Sequence, residues 1–389
     1  MSDLDRLVGP DRRWRFDGLE VTVPLIALAT IVGLVALWPT SRPPVDVSQI
    51  GFADAVVTAE VSSVADGGCS YDAESHCQTV MFALTDGSGD VASQEFDNSA
   101  TSPRFRTGDR VILNLVEDAD PLFRYHYADR DRRPVLAIVA GLFGLAVIGL
   151  GRLRGMGALA GLASSVGLLL WFVAPSILAG EDPVAVAAVG GAAIALITLY
   201  LAHGFGPNTH VAAIGCFAAL GLTMVLSWLV APAAAFSGFA SEESLFLATI
   251  GTVQISGLVL AGAVLGAIGA LDDVTVTQVS AVFELHAANP ELSRRSLFRS
   301  GLRIGRDHIA STINTLLLAY AGAAMPLLLL LTLSNLPLAM MANSEVVAVE
   351  IVRTLVGSIG LVAAVPITTW LAARVATPTG LRSIRERPR

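Results

Sequence analysis

The sequence predicts an α-helical polytopic membrane protein with about eight transmembrane helices and a small exported β-barrel-like domain between the first two. Three observations carry that fold class: a composition too apolar for water, eight apolar runs of membrane-spanning length, and one long acidic insert. Of 389 residues, 53% are hydrophobic and only 15% charged, with mean hydropathy +0.65. A soluble chain keeps about a quarter of its residues charged to coat its surface. All 25 basic residues are Arg, a bias of coding rather than of chemistry.

Hydrocarbon offers no partner to a bare peptide group, so each crossing needs about 20 apolar residues wound into a helix. Such runs fall at 20–38, 134–150, 157–179, 184–202, 210–231, 245–271, 309–334 and 346–372. The first follows Arg12, Arg13 and Arg15, as a secretory signal would, but ends Ala36-Leu37-Trp38-Pro39 with no small-x-small cleavage site. It reads as an uncleaved signal anchor. Cytoplasmic segments collect arginine. With the N-terminus inside, segments 1–19, 151–156, 203–209, 272–308 and 373–389 hold 16 Arg, and the outer loops near 180–183, 232–244 and 335–345 hold none. The expected organisation is a cytoplasmic N-terminus (1–19), the anchor (20–38), an exported domain (39–133), a seven-helix membrane domain (134–372) and a cytoplasmic tail (373–389).

The exported segment carries 8 Arg against 16 Asp and Glu, a balance equal to the whole chain's −8. Alternating runs predict strands at Ala53–Val64, Gln78–Leu84, Val91–Phe96 and Arg110–Val116. Turns are expected at Asp66-Gly67-Gly68, Asp86-Gly87-Ser88-Gly89 and Thr107-Gly108-Asp109. Five or so short strands in this length favour a small barrel of OB or SH3-like type. Its acidity argues against nucleic acid and for a protein partner in the envelope. Cys69 and Cys77 flank a polar loop with Asp72, Glu74 and His76. An oxidising compartment favours a disulfide between them. The alternative, a metal site of Cys69, His76 and Cys77, lacks zinc-ribbon spacing. Cys216, inside the fifth span, reads as a small packing residue.

Charged side chains inside spans are costly and mark function by default. Asp272 and Asp273 are expected at the cytoplasmic end of the sixth span. Neighbours on a helix point about 100° apart, so the two do not form a paired-carboxylate site. Asp307, Ser311 and Asn314 recur at i, i+4 and i+7 on the seventh span, with Asp307 either a helix cap or the head of a polar stripe. Glu350 and Arg353 lie at i, i+3 on the eighth, where mutual neutralisation competes with a gate or substrate contact. His203, Asn208 and His210 flank the Gly204–Pro207 turn, and a solvated turn is favoured over metal transport there. Gly157/Gly161 and Gly262/Gly266 read as helix-packing faces.

The stretch Gly266-Ala-Ile-Gly-Ala-Leu-Asp-Asp-Val-Thr-Val-Thr-Gln, then Glu284-Leu285, Asn289-Pro290 and the Gly305–Gly322 block, resembles the YibE/F-like family of bacterial membrane proteins. Glu350–Pro366 is similar to that family's last helix. The resemblance covers the whole chain and is most specific over 305–322. It implies fold, topology and a bacterial inner-membrane location. It also implies that the family's single aspartate falls on Asp273, with Asp272 the extra one. Where the family pattern has a basic residue after the Gly-Phe turn, this chain has Pro207-Asn208.

Signatures of hydrolases, metalloproteases and P-loop enzymes are absent from the sequence, so no catalytic residue, resident metal or cofactor is expected. Two functions remain. One is a secondary transporter or channel for a small cation or proton-coupled solute, its path formed by Asp273, Asp307, Ser311, Asn314, Glu350 and Arg353. The other is a non-transporting scaffold or sensor whose exported domain binds an envelope partner. The bilayer is the first partner, the five Arg of 291–306 suit anionic lipid headgroups, and a homo-oligomer is compatible with either function.

Overall fold

The computed structural model describes residues 19–39, 55–70, 75–85, 90–116, 120, 124–239, 241–334 and 336–377. The arginines of the first 18 residues and of the tail beyond 377, Asp72, Glu74 and the expected 86–89 turn lie outside the described residues. The chain forms two compact units, Pro44–Ala146 and the combination of Met1–Pro43 with Val147–Arg389.

The smaller unit contains an antiparallel sheet of β1 (Ala55–Gly68), β2 (His76–Leu84), β3 (Val91–Asp97), β4 (Arg110–Leu115) and β5 (Tyr125–Arg130), in the order β3-β2-β1-β4-β5. Alternation sets its faces: Val80, Phe82 and Leu84 point inward from β2, Thr79 and Met81 outward. β1 serves both halves, pairing with β4 through Ala55–Glu60 and with β2 through Ala59–Gly68. A register shift between Val61 and Ser63 bends it. The sheet curls into a half-barrel whose edge strands meet. The Tyr127 amide donates to Gln94 Oε1 at 2.8 Å, and the Phe96 and Tyr127 rings stand edge to face at 5.7 Å. Val61, Phe82, Phe105, Val111 and Leu113 fill the interior.

Two readings of this unit change. Asp66-Gly67-Gly68 is not a turn but the end of β1, paired with Gln78, Cys77 and His76. The hairpin turns later, where Cys69 and Cys77 are joined in a disulfide and the Cys69 amide bonds to Ser75 O at 3.0 Å. β5 was not located from the sequence, because Tyr-His-Tyr-Ala-Asp-Arg alternates weakly.

The helical unit has α1 (Leu19–Ala36), then α2 (Arg133–Leu168), which starts in the smaller unit and runs through a π-helical turn at Leu169–Val173 into α3 (Ala174–Leu178). Then come α4 (Pro183–His203), α5 (Pro207–Ala233), α6 (Glu242–Ile250), α7 (Ile255–Ala288), α8 (Arg294–Ala323), α9 (Met325–Leu333), α10 (Leu338–Asn343) and α11 (Glu345–Ala376). Local chemistry sets the boundaries. Asp182 Oδ1 caps α4 through the Ala185 amide at 2.7 Å, ahead of Pro183, and Gly204, at φ 74°, ends it. Ser241 caps α6 and Gly251, at φ 77°, stops it.

Among the described residues, five helical stretches are long and apolar enough to cross a membrane, or six if α8 and α9, bent by 68°, count as one span. The eight expected runs do not, among the described residues, each stand as a separate uninterrupted helix. The second and third expected runs both fall within Arg133–Leu178, as two helices that meet at a kink. The kink is at Arg152, with φ 51° and ψ −127°, inside the expected 151–156 turn, and it brings Gly155 against the backbone of Val147. The sixth run is divided between α6 and α7 at 251–254, and α7 continues past Leu271 to Ala288. Segment 272–308 holds the end of α7, a short connection at 289–293 and the start of α8. Ser293, not Asp307, caps α8, accepting from the Ser296 amide at 3.2 Å.

α7 is the axis of the bundle, packed against α4, α5, α8 and α11, while α1 lies on α4 and α5. Small residues bring α5 and α11 together. Gly215 faces Thr368 and Gly360 faces Thr223, a reciprocal antiparallel contact.

Candidate functional site

Buried positions on α7 recur every three or four residues: Val264, Ala267, Ile268, Leu271, Val274, Thr275, Gln278, Val279 and Val282. Asp272 falls on the edge of this stripe, half-way along the helix, and Asp273 falls off it. The Thr198 hydroxyl on α4 donates to Asp272 Oδ2 at 3.2 Å, and Asp272 Oδ1 is buried with no partner among the described residues. Fully buried Cys216 on α5 lies within electrostatic range of that carboxyl. Neither aspartate ends a helix. Asp273 is exposed, its Oδ2 3.6 Å from His308 Nε2 on α8.

Nearer the start of α7, Arg353 Nη1 donates to Glu350 Oε1 at 2.6 Å, one turn apart on α11. The guanidinium lies over Gly262 and the Tyr320 hydroxyl of α8 lies over Gly266, where a side chain would collide with both. The Gly262/Gly266 pair thus makes room for a cation and a phenol instead of a helix backbone. Arg353 Nε and the Ser227 hydroxyl are both buried with no partner among the described residues, and their side chains line one small cavity between α5, α7 and α11. On the other side of Glu350, an apolar groove of about 220 Å³ opens among Leu317, Tyr320, Leu328, Ile351 and Leu355.

Three helices meet at Gln278. Its buried amide donates at 2.7 Å both to Gly301 O on α8 and to Thr369 Oγ1 on α11. Gly301 and Gly305 give it space. Asp307, Ser311 and Asn314 do share one stripe of α8, but that stripe is exposed on the bundle surface. The structure thus brings Asp273 beside His308 and Glu350 beside Arg353, and keeps the α8 stripe apart from Asp272. Thr198, Tyr320 and Gln278 were not singled out from the sequence, and Asp272, singled out as a charge inside a span, was not placed on the expected path.

The Gly204–Pro207 turn is closed locally. His210 Nδ1 lies 2.7 Å from Gly206 O, and the Tyr200 ring stacks on Phe205 at 4.8 Å. Among the described residues, the one cluster dense enough for an ion is Cys69, Cys77 and Glu95. Its two sulfurs are already bonded to each other, which removes the thiolates a metal would need. Glu95 Oε1 instead accepts the Ser70 amide at 2.7 Å.

Long apolar helices packed through glycine and alanine, with charged groups held at their contacts, define a polytopic membrane protein. The chain belongs to the YibE/F-like protein family, whose profile matches residues 139–378. That match runs from α2 into the end of α11 and leaves α1 and the half-barrel outside it. No curated protein and no solved structure matches the chain.

Proposed function

We propose that this protein is a secondary transporter or channel of the bacterial inner membrane, moving a small cation or a proton-coupled solute. The observation that carries this reading is Asp272. It is a carboxylate in the middle of the central helix, facing the bundle, with one oxygen hydrogen-bonded and the other orphaned. An uncompensated charge at such depth costs several kcal/mol and persists where it handles an ion or faces water. The Glu350–Arg353 pair of α11 is a candidate gate, with Gly262 and Gly266, nearer the start of the central helix, as its clearance. Asp273, Asp307, Ser311 and Asn314 extend the polar surface on the outside of the bundle.

In this reading the chain crosses the membrane eight times, with both ends cytoplasmic. The break at Arg152 supports treating 134–150 and 157–179 as two crossings, and the arginine distribution supports the orientation. The exported half-barrel is of OB-like type and presents an acidic surface to an envelope partner. No catalytic step is assigned to the protein.

Proteoliposomes holding the full chain, challenged with proton, monovalent and divalent cation gradients, test the proposal. Flux above empty liposomes is expected, and Asp272→Asn, which keeps shape and removes charge, abolishes it without loss of folded protein. No flux for the wild type across the panel would favour the scaffold or sensor function.

A further inference from the structure

We propose that a second copy of this chain covers the outward face of α7 and α8, burying their polar stripe between two copies. This does not rest on transport, because the cost of leaving that stripe in lipid is the same for a transporter and a scaffold.

The depth of the stripe follows from contacts on the page. Gln278 bonds to Gly301 and Thr369, so these three lie at one level of the bundle. Next to Thr369 is Trp370, half exposed, with the Arg374 guanidinium 5.4 Å from its ring centre. A tryptophan and arginine on the outside of a membrane helix mark the headgroup level. At about 1.5 Å per residue, Asp307, Ser311 and Asn314 stand about 9, 15 and 20 Å beyond Gly301 along α8. All three then fall within a hydrocarbon core about 30 Å thick. Asp273 joins them from α7 through His308. Polar and charged groups at such depth face a bundle interior or a wet cavity, not acyl chains.

The same face identifies its occupant. Along α8 it carries both signs of charge, Asp307 beside Arg303 and Arg306, with the Asp273–His308 pair at its edge. Arg303, Arg306 and Asp307 have no side-chain partner among the described residues. Such a face is self-complementary about a two-fold axis, which sets each copy's acid against the other's base. Gly269 lies on it with open space beyond its Cα, which permits close approach of a neighbouring backbone.

The test uses the full chain in native membranes and in nanodiscs. Ser311→Cys and Asn314→Cys are expected to give disulfide-linked dimers on oxidation. Trp228→Cys, on an exposed face of α5, is expected to give none. The wild type should have the mass of a dimer in nanodiscs, and the double variant Ser311→Leu/Asn314→Leu should dissociate at least roughly tenfold more readily, by loss of intermolecular hydrogen bonds. A monomeric wild-type mass, or crosslinking through Trp228→Cys as efficient as through Asn314→Cys, overturns the proposal. A different protein on this face would appear as a monomer that does not crosslink to itself.

Discussion

Replacing Gln278 with leucine removes a side chain that ties α7, α8 and α11 together, at nearly constant volume. Two interhelical hydrogen bonds disappear, both 2.7 Å long and donated by a side chain only 3% exposed. Their acceptors are not stranded, because Thr369 Oγ1 still donates to Val365 O at 2.6 Å and the Gly301 carbonyl lies within a helix. The loss is therefore that of the bonds themselves, each worth about 0.6–1.7 kcal/mol in a membrane bundle, or about 1–3 kcal/mol together. Gln278→Ala adds a cavity against Val282, Gly301 and Gly305 and should cost about 1–2 kcal/mol more. Thr277→Val is the control. Thr277 is exposed and its hydroxyl bonds only to carbonyls of its own helix. Reversible unfolding of the full chain in mixed micelles by a denaturing detergent measures all three. Gln278→Leu within about 0.3 kcal/mol of wild type, or Gln278→Ala milder than Gln278→Leu, would refute the junction.

Other expectations concern the exported unit and the topology. Removing the Cys69–Cys77 crosslink with serines should destabilise the half-barrel by about 2.5 kcal/mol in the chain-entropy model, and both thiols should resist alkylation until reduced. Asp97 is held below its ordinary value of 3.8, first by the Ser102 hydroxyl and then by that of Ser99. The folded pKa is the lower one, so its contribution is fully present above 3.8 and lost as pH falls through the depressed value. Amide exchange at 97–102, followed downward in pH, should accelerate in that window, and in Ser102→Ala the acceleration should begin at higher pH. Reporters fused after Arg133, Glu181 or Ser241 should be exported and those at Arg154 or Ser293 cytoplasmic. An exported reporter at Ser293 contradicts the proposed eight crossings.

Four strands of the half-barrel were legible in the sequence because a half-buried strand alternates, and Val80, Phe82 and Leu84 write that alternation plainly. β5 was not, because only Tyr125 and Tyr127 of its six residues reach the core. Hydropathy located most apolar stretches and misjudged where helices end. It detects where residues are apolar, whereas α7 and α8 continue as helices through their polar parts. Placing Asp272 and Asp273 at a helix end, and Asp307 at a helix start, came from that conflation. Which aspartate turns inward was nonetheless written in the chain. Ile268, Thr275 and Val279 place Asp272 on the buried phase at i+4, i−3 and i−7, and Asp273 on the phase of Gly266, Gly269 and Thr277. What no spacing gives is Thr198 as the partner of Asp272, or Tyr320 and Arg353 as the occupants of the Gly262/Gly266 clearance, because those depend on the relative depth of separate helices.

The central claim is that water and an ion reach the carboxyl of Asp272 through the bundle. Thr198→Cys places a thiol of nearly the same size as the native side chain against that carboxyl, in a chain whose other cysteines are crosslinked or, at Cys216, fully buried. Its labelling by a small membrane-impermeant thiol reagent, in oriented vesicles, measures access directly. Labelling of Thr198→Cys much faster than of Cys216 in the unchanged chain, and slowed by the transported cation, is the result predicted. A Thr198→Cys thiol as inert as Cys216 from both sides of the membrane would contradict the account.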